Sequence, residues 1–94
     1  MGEIKRAIFI FEEANKIEGE ILAKEKGFVY SNLASCYMGA GNLDKSKQAY
    51  ADAIYYFDQA QLLEEISRCY FYIGVAELRV SQQNLKKSDS QNSL

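Results

Sequence analysis

Leu43, Tyr50, Ala53, Ile54 and Phe57 recur at steps of three, four and seven, which places them on one face of a helix. Upstream, Tyr30, Leu33, Ala34 and Tyr37 form a second stripe with the same spacing. Gly39-Ala40-Gly41-Asn42 separates the two. A glycine there can adopt the left-handed conformation that ends a helix, and the Asn42 side chain can accept from backbone amides that open the next. The pattern therefore predicts a helical hairpin whose turn lies at residues 39–42.

The rest of the chain reads the same way. Ile4, Ala7, Ile8, Phe11 and Ala14 predict a first helix over about 3–17, interrupted by Glu18-Gly19-Glu20. A second helix is expected over about 20–39, tolerating Gly27 at some cost. The third covers about 43–58. A fourth, over about 60–80, carries Leu63, Ile66, Tyr70, Ile73 and Gly74 on its inward face. From residue 81 to 94 the chain is the polar segment SQQNLKKSDSQNSL, read as a tail that is either disordered or the beginning of another helix. No segment alternates as a strand would.

The helical pattern repeats. Asn42-Leu43-Asp44-Lys45-Ser46 returns as Asn84-Leu85-Lys86-Lys87-Ser88, and Glu3-Ile4-Lys5-Arg6-Ala7 foreshadows it 39 positions earlier. Tyr30-x-x-Leu33-Ala34 matches Tyr70-x-x-Ile73-Gly74 at an offset of 40, as Leu22 matches Leu62. A period near 40 made of two helices predicts stacked hairpins that bury their apolar flanks against one another. It also predicts that Tyr30 and Tyr70 occupy equivalent surroundings.

Tyr30, Leu33, Ala34 and Tyr37, followed by Gly41, Ser46, Tyr50 and Ala53, resemble the tetratricopeptide repeat (TPR), in its version with a repeat of about 40 residues. Gly2, Ala7, Phe11 and Ala14 repeat the second half of that motif, and the resemblance covers about residues 2–80. The chain departs from the motif where Glu77 replaces a tyrosine and Asp58 a proline. The resemblance implies an all-α, right-handed α-solenoid of antiparallel helix hairpins, with about four helices and a polar C-terminal tail. It also implies a concave groove lined by the first helix of each pair. Carried onto this chain, the groove positions are Phe28, Ser31, Asn32, Ser35 and Met38 from the second helix, and Arg68, Phe71, Tyr72, Val75 and Leu78 from the fourth. Small Ser31 and Ser35 leave room there for an extended peptide or an amphipathic helix. Phe28 and Phe71 read equally well as groove wall and as ordinary packing against neighbouring helices. Members of the family that clamp a C-terminal carboxylate use Lys and Asn where Ser31 and Ser35 stand, which argues against that specificity.

Composition narrows the chemistry. The 94 residues are 48 % hydrophobic and 26 % charged, with no proline, which suits one small folded domain. A net charge of −2 favours neither a phosphate backbone nor an anionic membrane. Basic residues near the aromatics are few, so nucleic-acid binding by this segment is not expected. No apolar run approaches the ~20 residues that span a bilayer, and no leader sequence stands out. Histidine is absent, removing the commonest general base and metal ligand. Neither Ser31 nor Ser35 has a base beside it in sequence. Cys36 and Cys69 lie 33 positions apart in apolar stretches and read as buried, reduced thiols of a cytoplasmic protein. Glu12 with Lys16, Glu20 with Lys24, and Glu64 with Arg68 have the spacing of ion pairs on solvated helix faces.

These features predict a non-enzymatic protein- or peptide-binding scaffold that needs no cofactor and no metal. Phe9 and Ile10 lie off the first helix's inner stripe and predict a homodimer through exposed end helices. Two other readings are a signal-peptide-sensing segment of a bacterial transcriptional or phosphorelay regulator, and a four-helix bundle with a structural role.

Overall fold

The computed structural model describes residues 2–92, with side chains through Lys86. It is all-helical: α1 runs Gly2–Gly39, α2 Leu43–Gln59 and α3 Leu63–Asn92. At 1.5 Å per residue these are about 57, 26 and 45 Å long. Helix α2 packs against both neighbours, while α1 and α3 barely touch. The short α2 therefore lies between the C-terminal half of α1 and the N-terminal half of α3, and the remaining halves project from opposite ends. The outline measures 83 × 18 × 14 Å. Its radius of gyration is 20.4 Å, against about 12 Å for a compact chain of this size, which excludes a closed four-helix bundle for this arrangement.

Both turns are built alike. Gly41 has φ +80° and Gln61 φ 58°. The Gly41 amide donates to Met38 O and the Asn42 amide to Tyr37 O; Gln61 and Leu62 repeat this with Asp58 O and Phe57 O. These paired bonds satisfy carbonyls that a helix end would otherwise leave without donors. The Asn42 side chain accepts from the Lys45 amide at 3.4 Å, as its position predicts.

Two predicted boundaries do not occur. The helices over 3–17 and 20–39 are one, because Gly19 is followed by Glu20, Ile21 and Leu22, good helix formers with no capping residue among them. Stopping the helix there would strand its terminal carbonyls, whereas one internal glycine costs about 1 kcal/mol. The predicted 60–80 helix likewise continues to Asn92, so the polar segment from 81 to 92 is part of α3. Ser93 and Leu94 lie outside the described residues. Among the described residues there are thus three helices where the pattern predicts four.

Ala34, Ala49, Tyr50, Ala53, Phe57 and Cys69 form the core, with Tyr30, Tyr37, Met38, Ile54, Leu62, Ile66 and Ile73 packed around it. Small residues let α1 and α2 approach closely. The Ser46 hydroxyl, fully buried, donates to Ala34 O at 2.8 Å. A Cβ on Gly27 would stand 2.6 Å from the Phe57 ring. On α3 the inward stripe is Ile66, Cys69, Ile73 and Ala76, continued by Leu62 just before the helix and rotated from the predicted one. Leu63, Tyr70 and Gly74 are exposed instead, on a face that none of the described helices covers. Tyr30 consequently stacks on Tyr56 at 5.5 Å while Tyr70 is 62 % exposed, so the predicted equivalence of their surroundings fails.

Candidate functional site

A groove of about 480 Å³ crosses the molecule, with α1 and α3 as walls and α2 as floor. From α1 come Phe28, Ser31, Asn32, Ser35, Met38 and Gly39, residues spaced to share one helix face. Glu65, Arg68, Cys69 and Tyr72 stand opposite on α3, and Tyr50 rises between them from α2. Seven of the predicted positions meet here: Phe28, Ser31, Asn32, Ser35, Met38, Arg68 and Tyr72.

Phe71 and Val75 do not line it, and neither does Leu78. Phe71 sits about 100° around α3 from Tyr72 and is 65 % exposed. Leu78, also exposed, is on that outer side. Val75 is half-buried and lies about one turn beyond Tyr72. The groove predicted from the repeat register is thus rotated on α3, as the inward stripe is.

Aromatic contacts hold the walls. Tyr50 and Tyr72 stack at 5.4 Å with their planes 11° apart, tying α2 to α3. Phe28 meets Phe57 edge to face at 5.0 Å, which keeps one side of its ring against the core. Both readings of Phe28 therefore apply to the one side chain. Ser31 donates its hydroxyl to Phe28 O at 3.1 Å, so its oxygen retains acceptor capacity toward the groove.

Tyr50, Glu65, Cys69 and Gly39 are groove residues that the sequence pattern did not single out. Tyr50 lies on the inward stripe of α2, and periodicity does not separate the bottom of a cleft from the core beneath it. Burial pushes the Tyr50 phenol up, with further contributions from Tyr72 and Cys69 and an opposing hydrogen bond from Ser35. The Cys69 thiol is raised for the same first reason, with Glu65 adding to it and Arg68 opposing. Both groups are protonated near neutrality, and a protonated thiol is a poor nucleophile.

Glu65 and Arg68 pair at 3.6 Å across one helix turn, leaving the groove with balanced charge. That pair, and Lys47 with Asp44, are the ion pairs found among the described residues; the predicted Glu64–Arg68 pair gives way to Glu65. Both cysteines are free, and Cys69 is buried as expected, but Cys36 is exposed on the outer side of α1. Among the described residues no helix is long and apolar enough to cross a membrane.

No protein-family model, no curated protein and no solved structure matches the chain.

Proposed function

We propose that the chain is a non-enzymatic, protein- or peptide-binding module of TPR-like helix pairs, which takes an extended peptide in the groove between α1 and α3. The observation that carries this reading is the groove itself: aromatic faces on both walls, small hydroxyls and an amide between them, and no net charge. Phe28, Met38 and Tyr72 offer apolar contact to a side chain of the peptide. Asn32, Ser31 and Ser35 offer donors and acceptors to its backbone. An extended peptide suits an open cleft better than a small metabolite does, because the groove does not enclose its contents.

A peptide selected from a random library on the native chain tests this. Ser35→Arg, which fills the cleft, should weaken its binding at least tenfold by fluorescence anisotropy, as loss of a central contact does. Phe71→Ala, outside the groove, should leave it unchanged, with both variants checked for helicity. Full affinity in the arginine variant would remove this cleft from consideration.

A further inference from the structure

Residues 2–19 of α1 are all exposed, including Ile4, Ile8, Phe9, Ile10, Phe11 and Ile17. One face of α3, with Leu63 and Tyr70, is equally uncovered. The two bare faces are related to the two faces that already meet between α1 and α2. The first half of α1 repeats α2 at an offset of 39, and α3 repeats the second half of α1 at an offset of 40. The α1–α2 contacts can therefore be carried onto the bare faces pair by pair.

Four of the contacts that tie α1 to α2 map onto chemically matched pairs on the bare faces. Lys45 over the Tyr37 ring becomes Arg6 with Glu77, a cation beside a carboxylate. Tyr30 stacked on Tyr56 becomes Tyr70 with Ile17, two exposed and largely apolar side chains. Phe28 against Phe57 becomes Arg68 with Glu18, a second pair of opposite charges. Ser46 against Ala34 becomes Ala7 with Gly74, which preserves the close approach. The need for glycine at position 27 transfers consistently as well: where no Phe57 ring presses, its counterpart Ser67 carries a side chain.

One chain cannot bring these faces together. Residues 2–19 project from one end while the part of α3 holding Gly74 lies beside α2, so Ala7 and Gly74 are about 40 Å apart along the helix axes.

We propose that two copies exchange these segments: residues 2–19 of each lie antiparallel along α3 of the other, in the register that α2 adopts on α1. The lengths agree, because α2 has 17 residues and the free segment repeats it almost end to end. The exchange also closes. Each α1 keeps its second half on its own α2 and its first half on the partner's third helix, so both bare faces are used under a two-fold axis. Phe11 and Tyr70 are 72 % and 62 % exposed, and together offer on the order of 250 Å² of aromatic surface per copy. With the isoleucines and Leu63, the total approaches the ~800 Å² per partner of a stable interface.

Sedimentation equilibrium on the full chain should give a dimer. Arg6→Glu and Glu77→Arg should each weaken that dimer several-fold, and the double charge reversal should recover most of the loss. In a chain with Cys36→Ser and Cys69→Ala, the pair Ala7→Cys and Gly74→Cys should form a disulfide between copies on oxidation. A clean monomer at millimolar concentration overturns the proposal. So does a dimer that ignores the charge reversals and fails to crosslink at these positions. Peptide binding in the groove is measured separately, so failure of either reading is visible without the other.

Discussion

At Gly27 the missing side chain decides how near α1 can come to α2. An added methyl would meet Cδ1 and Cε1 of Phe57 at 2.6 Å, and that ring is fully buried with Phe28 against its edge. Overpacking of this kind costs about 1–3 kcal/mol, whereas replacing a mid-helix glycine by alanine returns about 1 kcal/mol. Gly27→Ala should therefore lower the thermal midpoint by several degrees. Gly19→Ala meets nothing within 4 Å and should raise it, by roughly 0.5–1 kcal/mol of stability. Calorimetry on the two variants separates a glycine needed for packing from one the helix merely tolerates. The sequence pattern reads Gly19 as a break and Gly27 as merely tolerated, and the position of Phe57 reverses that order.

Helix ends obey a different logic at the two turns. Gly41-Asn42 is legible as a stop and a start, since glycine accepts the left-handed backbone and asparagine caps the next helix. Gln61 adopts the same conformation with a Cβ, at a cost of about 1–2 kcal/mol, partly offset because glycine is more flexible when unfolded. Nothing local explains its choice. The turn forms because Leu62 and Ile66 must return to the core beside Phe57. Gln61→Gly should stabilise the protein by up to about 1 kcal/mol in urea denaturation, and Gly41→Ala should destabilise it by a similar amount. The missed break at Gly19 is the converse case. A glycine is visible there, but none of the described helices folds back to make a turn useful.

For the molecule as a whole, the small core makes stability depend on a few buried groups. Cys69 and Tyr50 both titrate above their ordinary values of 9.0 and 10.0, chiefly because burial disfavours their charged forms. The folded chain thus holds these protons to higher pH than the unfolded chain does. Their contribution is complete below the ordinary thiol and phenol values and is lost as pH rises through the raised ones. The urea midpoint should fall on the alkaline side of that range, and Cys69→Ala with Tyr50→Phe should flatten the decline. The same elongated build exposes the apolar faces whose pairing defines the exchanged dimer, so assembly and stability should both depend on protein concentration.

Taken alone, the order of residues determined that the chain is helical, where its central hairpin turns, and which face of α2 is buried. Each of these depends on contacts within a few turns of helix, and periodicity records them directly. Phe28, Ser31, Asn32, Ser35 and Met38, the positions carried over from the repeat resemblance, lie together along the α1 side of the groove because they share one face of one helix. Tertiary structure alone decided the rotation of α3, which placed Phe71 outside the groove and Tyr50 at its floor. It decided, too, that residues 2–39 form one helix. A helix carrying apolar residues on two faces can bury either, and the choice depends on which neighbour is present to cover it.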